Sequence, residues 1–288
     1  MDSWTIRSVL VWTTGHFEKK GIDSPRLTAE VLLAHVLGCD RVRLFMDLDR
    51  PLAKEELQQF RALIERRLQG EPSQYLTGKR EFYGRTFSVD PRVLIPRPET
   101  ELLVEAALRE VPKDAPARLL DVCTGSGCIA ITLAAERPQA QVWATDLSPD
   151  ALAIARGNAE RLGVLERVTF LQGDLLAPLP SDASPFDVIV SNPPYIATGA
   201  IAGLSAEVRK EPRLALDGGA DGLDLVRGIV AKARAFLRPG GQLALEIGEE
   251  QGAAVKGLLE ASGFEDVRVE KDLARLDRLV LGRAPAAG

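Results

Sequence analysis

Phe186-Asp187-Val188-Ile189-Val190 runs straight into Ser191-Asn192-Pro193-Pro194-Tyr195. The first five residues are an apolar, β-branched run that predicts a buried parallel strand. Ligands bind at the carboxyl edge of such strands in α/β sheets, and that is where the polar Asn192 falls. Pro193 and Pro194 end the strand. They fix φ and carry no N–H, so their carbonyls accept hydrogen bonds while their amides donate none. Pro193 also biases Asn192 toward extended conformations. The outcome is a stiff corner rich in acceptors. The Asn192 side-chain oxygen and the Pro193 carbonyl suit the two hydrogens of a planar NH2 group, either an exocyclic base amine or a carboxamide, with Tyr195 stacked on its plane. A bland reading, in which Asn192 caps a turn and Tyr195 packs on the surface, fits Asn-Pro alone better than the whole corner.

The strands predicted on either side form a sheet. Upstream, Arg118-Leu119-Leu120-Asp121-Val122-Cys123 reads as a buried strand. Thr124-Gly125-Ser126-Gly127 is a tight turn, and Cys128-Ile129-Ala130-Ile131 opens a helix whose N-terminus offers free N–H groups. Gln141 to Asp146 is a second strand. Its terminal carboxylate, 19 residues beyond Gly127, can accept both hydroxyls of a ribose. This pair fits a dinucleotide site and an S-adenosylmethionine site about equally, and a purely structural glycine turn remains open. Val168 to Leu171 is a third strand, followed by Asp174, placed to receive an adenine amine, and Leu175, placed against the ring. After the Asn192 strand come Gln242 to Ile247, behind a helix near 223–237, then Val267 to Val269 and Leu279 to Leu281. Seven strands, the last two without a helix between them, describe a methyltransferase sheet better than a nicotinamide-binding one.

The first 72 residues predict a small all-helical module. A helix spans 4–17 with Trp4, Val9 and Trp12 apolar. Ser24-Pro25 provides a cap and first turn for a second, with Leu27, Val31, Ala34 and His35 recurring and Gly38 as the stop. Val42 to Phe45 is a short helix. Leu57, Phe60, Ile64 and Leu68 line one that starts near Ala53 and ends at Gly70. His35 is expected to pack in the bundle and His16 to lie near a loop. Arg61, Arg66 and Arg67 read first as a solvated face, second as a docking surface for an acidic partner. Residues 73–98 form a connector, with period-two patterning from Gln74, a β-hairpin at Phe82 to Phe87, and an extended Pro96-Arg97-Pro98-Glu99. Arg97 and Glu99 are expected to line a cavity between the modules. Residues 99–288 form the large domain, in which 197–221, with Glu207, Glu211 and Arg213, is either a lid or a surface segment.

Composition limits the alternatives. The chain has 288 residues, 45% of them hydrophobic, enough for a sizeable core and two domains. A balance of 36 Lys and Arg against 41 Asp and Glu leaves a charge of −5, a poor match for nonspecific nucleic-acid binding. Cys39, Cys123 and Cys128 show no metal-ligand spacing and do not pair evenly, which suits a reducing cytoplasm and predicts no metal. Met1-Asp2-Ser3-Trp4 does not read as a secretory leader, and no run reaches the ~18 apolar residues of a membrane span.

Together these residues resemble the protein-glutamine N5-methyltransferases called PrmC or HemK. The marks are Gln74 to Gly78 with Glu81-Phe82, Leu94 to Glu101, Gly125-Ser126-Gly127, Asn192 to Ile196, Glu211 to Leu216, Asp221-Gly222-Leu223 and Glu246-Ile247-Gly248. The resemblance covers nearly the whole chain. It implies a seven-stranded Rossmann-like class I methyltransferase domain behind a helical substrate-recognition domain. It also implies S-adenosyl-L-methionine as cofactor and, as substrate, the glutamine of the Gly-Gly-Gln motif in class I peptide-chain release factors. Asn192, Pro193, Pro194 and Tyr195 would hold that glutamine, with Asn192, Pro193 and Tyr195 catalytic. Cys123, Thr124, Gly125, Ser126, Gly127, Asp146, Asp174, Leu175 and Asn192 would hold the cofactor. Cys123 stands where the family commonly has Gly, and Leu175 where some members have Trp. A ribosomal-protein glutamine, an adenine N6 in nucleic acid, and a non-catalytic cofactor-binding module remain as alternatives.

Overall fold

A computed structural model describes residues 4–181, 183 and 185–286; Met1 to Ser3, at the start of the chain, lie outside the described residues. The chain divides into two compact units, residues 1–79 with 205–210, and 80–204 with 211–288.

The first unit is helical: α1 (Ile6–Lys19), α2 (Pro25–Leu37), α3 (Arg41–Met46), α4 (Lys54–Leu68) and α5 (Ser73–Thr77). Thr5 and Ser8 form a reciprocal capping box at the start of α1. Phe17, Leu32, Leu33, Leu44 and Phe60 are fully buried at its centre. The expected face of α2 is largely out of phase, although Ala34 is buried as expected. Leu27 is 44% exposed and His35 is exposed, while Thr28, Ala29, Leu32 and Leu33 face inward. So many residues of α2 are apolar that spacing alone does not single out one stripe. Glu30 marks the true inner side: it is buried and takes ion pairs from Arg26 and Arg41, which offset the cost of its desolvation. Ser24 precedes the helix but makes no side-chain cap, because its backbone is left-handed (φ 46°). Trp4 and Trp12 point outward and meet edge to face, and His16, inside the last turn of α1, stacks on Trp12 at 5.0 Å. Of the three arginines, Arg61 and Arg66 pair with Glu65 and Glu71 on the surface, contacts worth little. Arg67 is buried and pairs with Glu207. The stretch from Gln74 is helical rather than extended, as α5, and ends at left-handed Gly78.

The second unit begins with the hairpin β1 (Lys79–Phe82) and β2 (Arg85–Ser88). Tyr83 and Gly84 both take positive φ, 49° and 68°, the type I′ geometry that matches strand twist. A single 3₁₀ turn at Pro98–Thr100 leads into α6 (Glu101–Glu110). The sheet follows: β3 (Ala117–Val122), α7 (Cys128–Glu136), β4 (Ala140–Asp146), α8 (Pro149–Arg161), β5 (Val168–Gln172), β6 (Phe186–Ser191), α9 (Asp224–Phe236), β7 (Leu237–Glu246), α10 (Gly252–Ala261), β8 (Glu265–Lys271) and β9 (Asp277–Arg283). The spatial order is β5-β4-β3-β6-β7-β9-β8. Pairing is parallel from β5 through β7, and β9 runs antiparallel to both β7 and β8. Strand residues alternate between two layers. Leu119, Val188 and Val190 pack with α6, α7 and α8, while Leu120, Ile189 and Leu243 pack with α9 and α10. This explains why the strands read as unbroken apolar runs: both faces are covered.

Register places the site. Val122 lies opposite Thr145 on one side and Ser191 on the other, and Ser191 lies opposite Leu245. The residues next along the chain, Cys123, Asp146, Asn192 and Glu246, therefore form a row at the carboxyl edge. Strand order reverses between β3 and β6, the place where doubly wound sheets open a crevice.

Candidate active site

A cavity of about 350 Å³ opens over Cys123, Asp146 and Asn192 of that row, within the usual range for ligand pockets. Of the residues predicted from sequence, Cys123, Gly125, Asp146, Asp174, Leu175, Asn192 and Pro194 line it. Thr124, Ser126, Gly127, Pro193 and Tyr195 are not among its lining residues, and most of them shape what lies behind it. The Thr124 hydroxyl donates to Asp121 Oδ2 at 2.6 Å, and the Ser126 carbonyl accepts from buried Asn158 at 3.0 Å. Gly127 has φ 81°, and a Cβ on it would stand 3.0 Å from the Ala155 Cβ on α8, so both the backbone and the close approach of α8 call for glycine.

Asp146 is tied to the turn it faces. Its Oδ2 accepts from the Gly125 amide at 2.8 Å and its Oδ1 from Ser148 at 2.9 Å. Burial pushes its carboxyl above the usual range, against the pull of these backbone donors. A carboxylate has about four acceptor positions, so two remain for a diol. That capacity, the cavity over it, and the polar Asp174 beside apolar Leu175 fit S-adenosylmethionine.

Cys123 occupies a backbone position that suits glycine better than cysteine. Its φ is 62°, the left-handed region where glycine is at ease and an L side chain is strained. The chain keeps the backbone path and tolerates the Cβ. Burial raises the Cys123 thiol pKa, leaving it un-ionised. Leu175 is also left-handed (φ 51°). It finds room because Gly228 on α9 has no side chain: a Cβ there would lie 2.5 Å from Leu175 Cδ1.

Arg97 and Glu99 do not line this cavity. Arg97 instead pairs with Glu211, a buried carboxylate that also accepts from the Ile95 amide at 3.0 Å. In the same segment, Arg213 pairs with Asp217 on the surface. Pro212, Leu214 and Ala215 wall the cavity, and short 3₁₀ turns order the stretch.

Three groups were given no role in the sequence reading. Gln251 donates to the Tyr195 carbonyl at 2.9 Å and accepts from the Gly248 amide at 2.9 Å, pinning the proline corner to the end of β7. Glu246 and Asp121 are buried carboxylates, each with one oxygen lacking a hydrogen-bond partner among the described residues. Burial pushes both up to about 7. A charge inside an otherwise apolar strand was the available signal. In the folded state these groups keep protons that the unfolded chain releases near its ordinary carboxylate pKa. Their stabilising effect is thus complete below that value and is lost as pH rises through about 7. Carboxyls held below their usual range, such as Asp90, Asp221 and Asp272, act oppositely but only at lower pH. The protein should accordingly melt several degrees higher at pH 6 than at pH 8. Melting curves showing the reverse order would refute the shifts.

Relatives share this architecture along its length. Residues 8–78 match the PrmC N-terminal domain family and residues 98–208 the methyltransferase small domain family. A release factor glutamine methyltransferase of Geobacter sulfurreducens is 49% identical over 98% of both chains, and one of Chlorobaculum tepidum 48% over 96% of both. In fold alone, a methyltransferase of Pyrococcus furiosus is similar at 19% identity, covering 71% of this chain and 91% of its own, with a TM-score of 0.52. The T. thermophilus 16S rRNA N2 G1207 methyltransferase is similar at 21%, covering 71% and 49%, with a TM-score of 0.53. Two domain families in this order and near-complete alignment at close to half identity place the chain in the release factor glutamine methyltransferase family.

Proposed function

We propose that this enzyme transfers a methyl group from S-adenosyl-L-methionine to the side-chain amide nitrogen of a glutamine in the Gly-Gly-Gln motif of class I release factors. The observation that carries the reading is Asn192, set between the cofactor cavity and a proline-stiffened corner. In the cavity, Asp146 would hold the ribose hydroxyls, Asp174 the adenine amine, and Cys123, Gly125 and Leu175 the remaining wall. The Thr124, Ser126 and Gly127 backbone would keep the turn in shape.

Bound there, the cofactor supplies an electrophilic sulfonium methyl. An amide nitrogen is a poor nucleophile because its lone pair is delocalised, so the chain must supply position and polarisation. The Asn192 Oδ1 and the Pro193 carbonyl accept from the two amide hydrogens, fix the angle of the nitrogen and stabilise positive charge as it develops there. Pro194 stiffens the corner, and Tyr195 packs against the carboxamide plane. Alignment of this kind is worth ~7–11 kcal/mol in favourable cases. After transfer the amide nitrogen carries a positive charge and is strongly acidic, so it gives its proton to water or a nearby carbonyl without a dedicated base.

The helical unit is the part that would recognise the release factor. The setting is the cytoplasm, which suits Cys39, Cys123 and Cys128 as free thiols. Among the described residues, no helix is long and apolar enough to cross a membrane. Incubation with a release factor and labelled cofactor, followed by mass spectrometry of the Gly-Gly-Gln peptide, should locate one methyl on the glutamine. Label in a ribosomal protein or in nucleic acid, with none in the release factor, would overturn the assignment.

A further inference from the structure

The acceptor role given to Asn192 raises a problem. A carboxamide has an oxygen at one end and an NH2 at the other, and a flip would present donors to a substrate NH2 group. Something must hold it one way round. The Asn192 Nδ2 donates to the Thr100 hydroxyl oxygen at 3.2 Å. Thr100 is 2% exposed, in the 3₁₀ turn that closes the proline-rich connector, and its hydroxyl faces the Glu246 carboxylate, where it works against the rise that burial imposes on that group. Glu246 ends the strand beside Asn192 and is 1% exposed.

Once Glu246 is ionised, above about pH 7, the polarity of this arrangement is forced. A hydroxyl has one hydrogen, and a carboxylate only accepts. The Thr100 hydrogen is therefore committed to Glu246, and the Thr100 oxygen can only receive. Only the NH2 end of Asn192 satisfies it. The amide oxygen is the atom left for the cavity that Asn192 lines. From this juxtaposition we infer that Thr100 and Glu246 are positioning residues that lock the Asn192 amide with its oxygen toward the substrate. The inference rests on the proposed acceptor role of Asn192 and adds the device that enforces it. The connector thereby gains a purpose, since its prolines deliver one hydroxyl between two strand ends.

The test is a mutant cycle, assayed at pH 8 with saturating cofactor and a release factor as methyl acceptor. Thr100→Val keeps the shape and removes the bridge. Its kcat should fall about 10–100-fold, the scale on which outer partners tune a directly acting ligand, with cofactor affinity unchanged. Thr100→Ser, which restores the hydroxyl, should recover most of the rate. Because Thr100 acts only through Asn192, Thr100→Val should cost little further in an Asn192→Ala background. Wild-type kcat in Thr100→Val, or an equal loss in both backgrounds, would overturn the clamp. If Asn192→Ala were itself unimpaired, the acceptor role would fail first, a separate outcome. If Thr100→Val does not fold, Glu246→Gln, whose amide no longer dictates the direction of the Thr100 hydrogen, enters the same cycle with the same expectations.

Discussion

Asn192→Ala should lose ~10²–10³-fold in kcat while binding S-adenosylmethionine nearly as well as the parent chain, the loss expected when one preorganised hydrogen-bonding group is removed from a reacting centre. The backbone around it is held independently of the side chain. Ser191 lies opposite both Val122 and Leu245 in the ladder, so the first residue past the strand is fixed on both sides. Pro193 and Pro194 are buried directly after it, and Gln251 fixes the Tyr195 carbonyl. Truncating Asn192 should therefore leave the corner in place and remove one acceptor. The cofactor keeps Asp146, Asp174 and the glycine turn, so its dissociation constant should barely move. Single-turnover assays at saturating cofactor, paired with calorimetric binding, separate the two quantities. Unimpaired transfer would refute the acceptor mechanism, and a parallel loss of cofactor affinity would reassign Asn192 to binding.

What the sequence made legible follows from which constraints are local. The strand runs, the glycine turn and the double proline are each decided within a few residues, and each proved to sit where the spacing put it, from β3 through β9. The hairpin at Tyr83-Gly84 and the short α3 are local in the same sense. The α2 face was not legible, because its inner side is set by what α1 and α4 present and by the ion pairs that accompany Glu30 inward. Arg97 illustrates the same limit: its partner Glu211 is more than a hundred residues away. So do Thr100 and Glu246, which gain meaning only when β6 and β7 pair in register. Tyr195 is the instructive middle case. Its place after the prolines is local, yet the environment that raises its hydroxyl to about 12, burial first and the Glu246 charge second, comes from β7.

Asp146→Ala should fail in the opposite way, with cofactor binding weakened on the order of 10²–10⁴-fold and turnover recovering once cofactor is forced to saturation. Two losses combine. The proposed ribose contacts are hydrogen bonds to a charged acceptor, worth ~1.5–3 kcal/mol each, and every ~1.4 kcal/mol is tenfold in affinity. The same substitution removes the acceptors for the Gly125 and Ser148 amides at 2.8 and 2.9 Å, so the turn that walls the cavity also loses its tether. Asp146→Asn isolates the second effect. It keeps one oxygen, enough for one backbone amide, and should fall between the two. Since burial raises this carboxyl, binding of hydroxyl donors should pull its pKa down, so cofactor binding should release protons when measured in acidic buffers that span its titration. Calorimetry in buffers of different ionisation enthalpy would register that release. An Asp146→Ala variant with unchanged affinity and an unchanged proton release would place the ribose elsewhere, and would leave the Asn192 corner as the one part of the proposed site still standing.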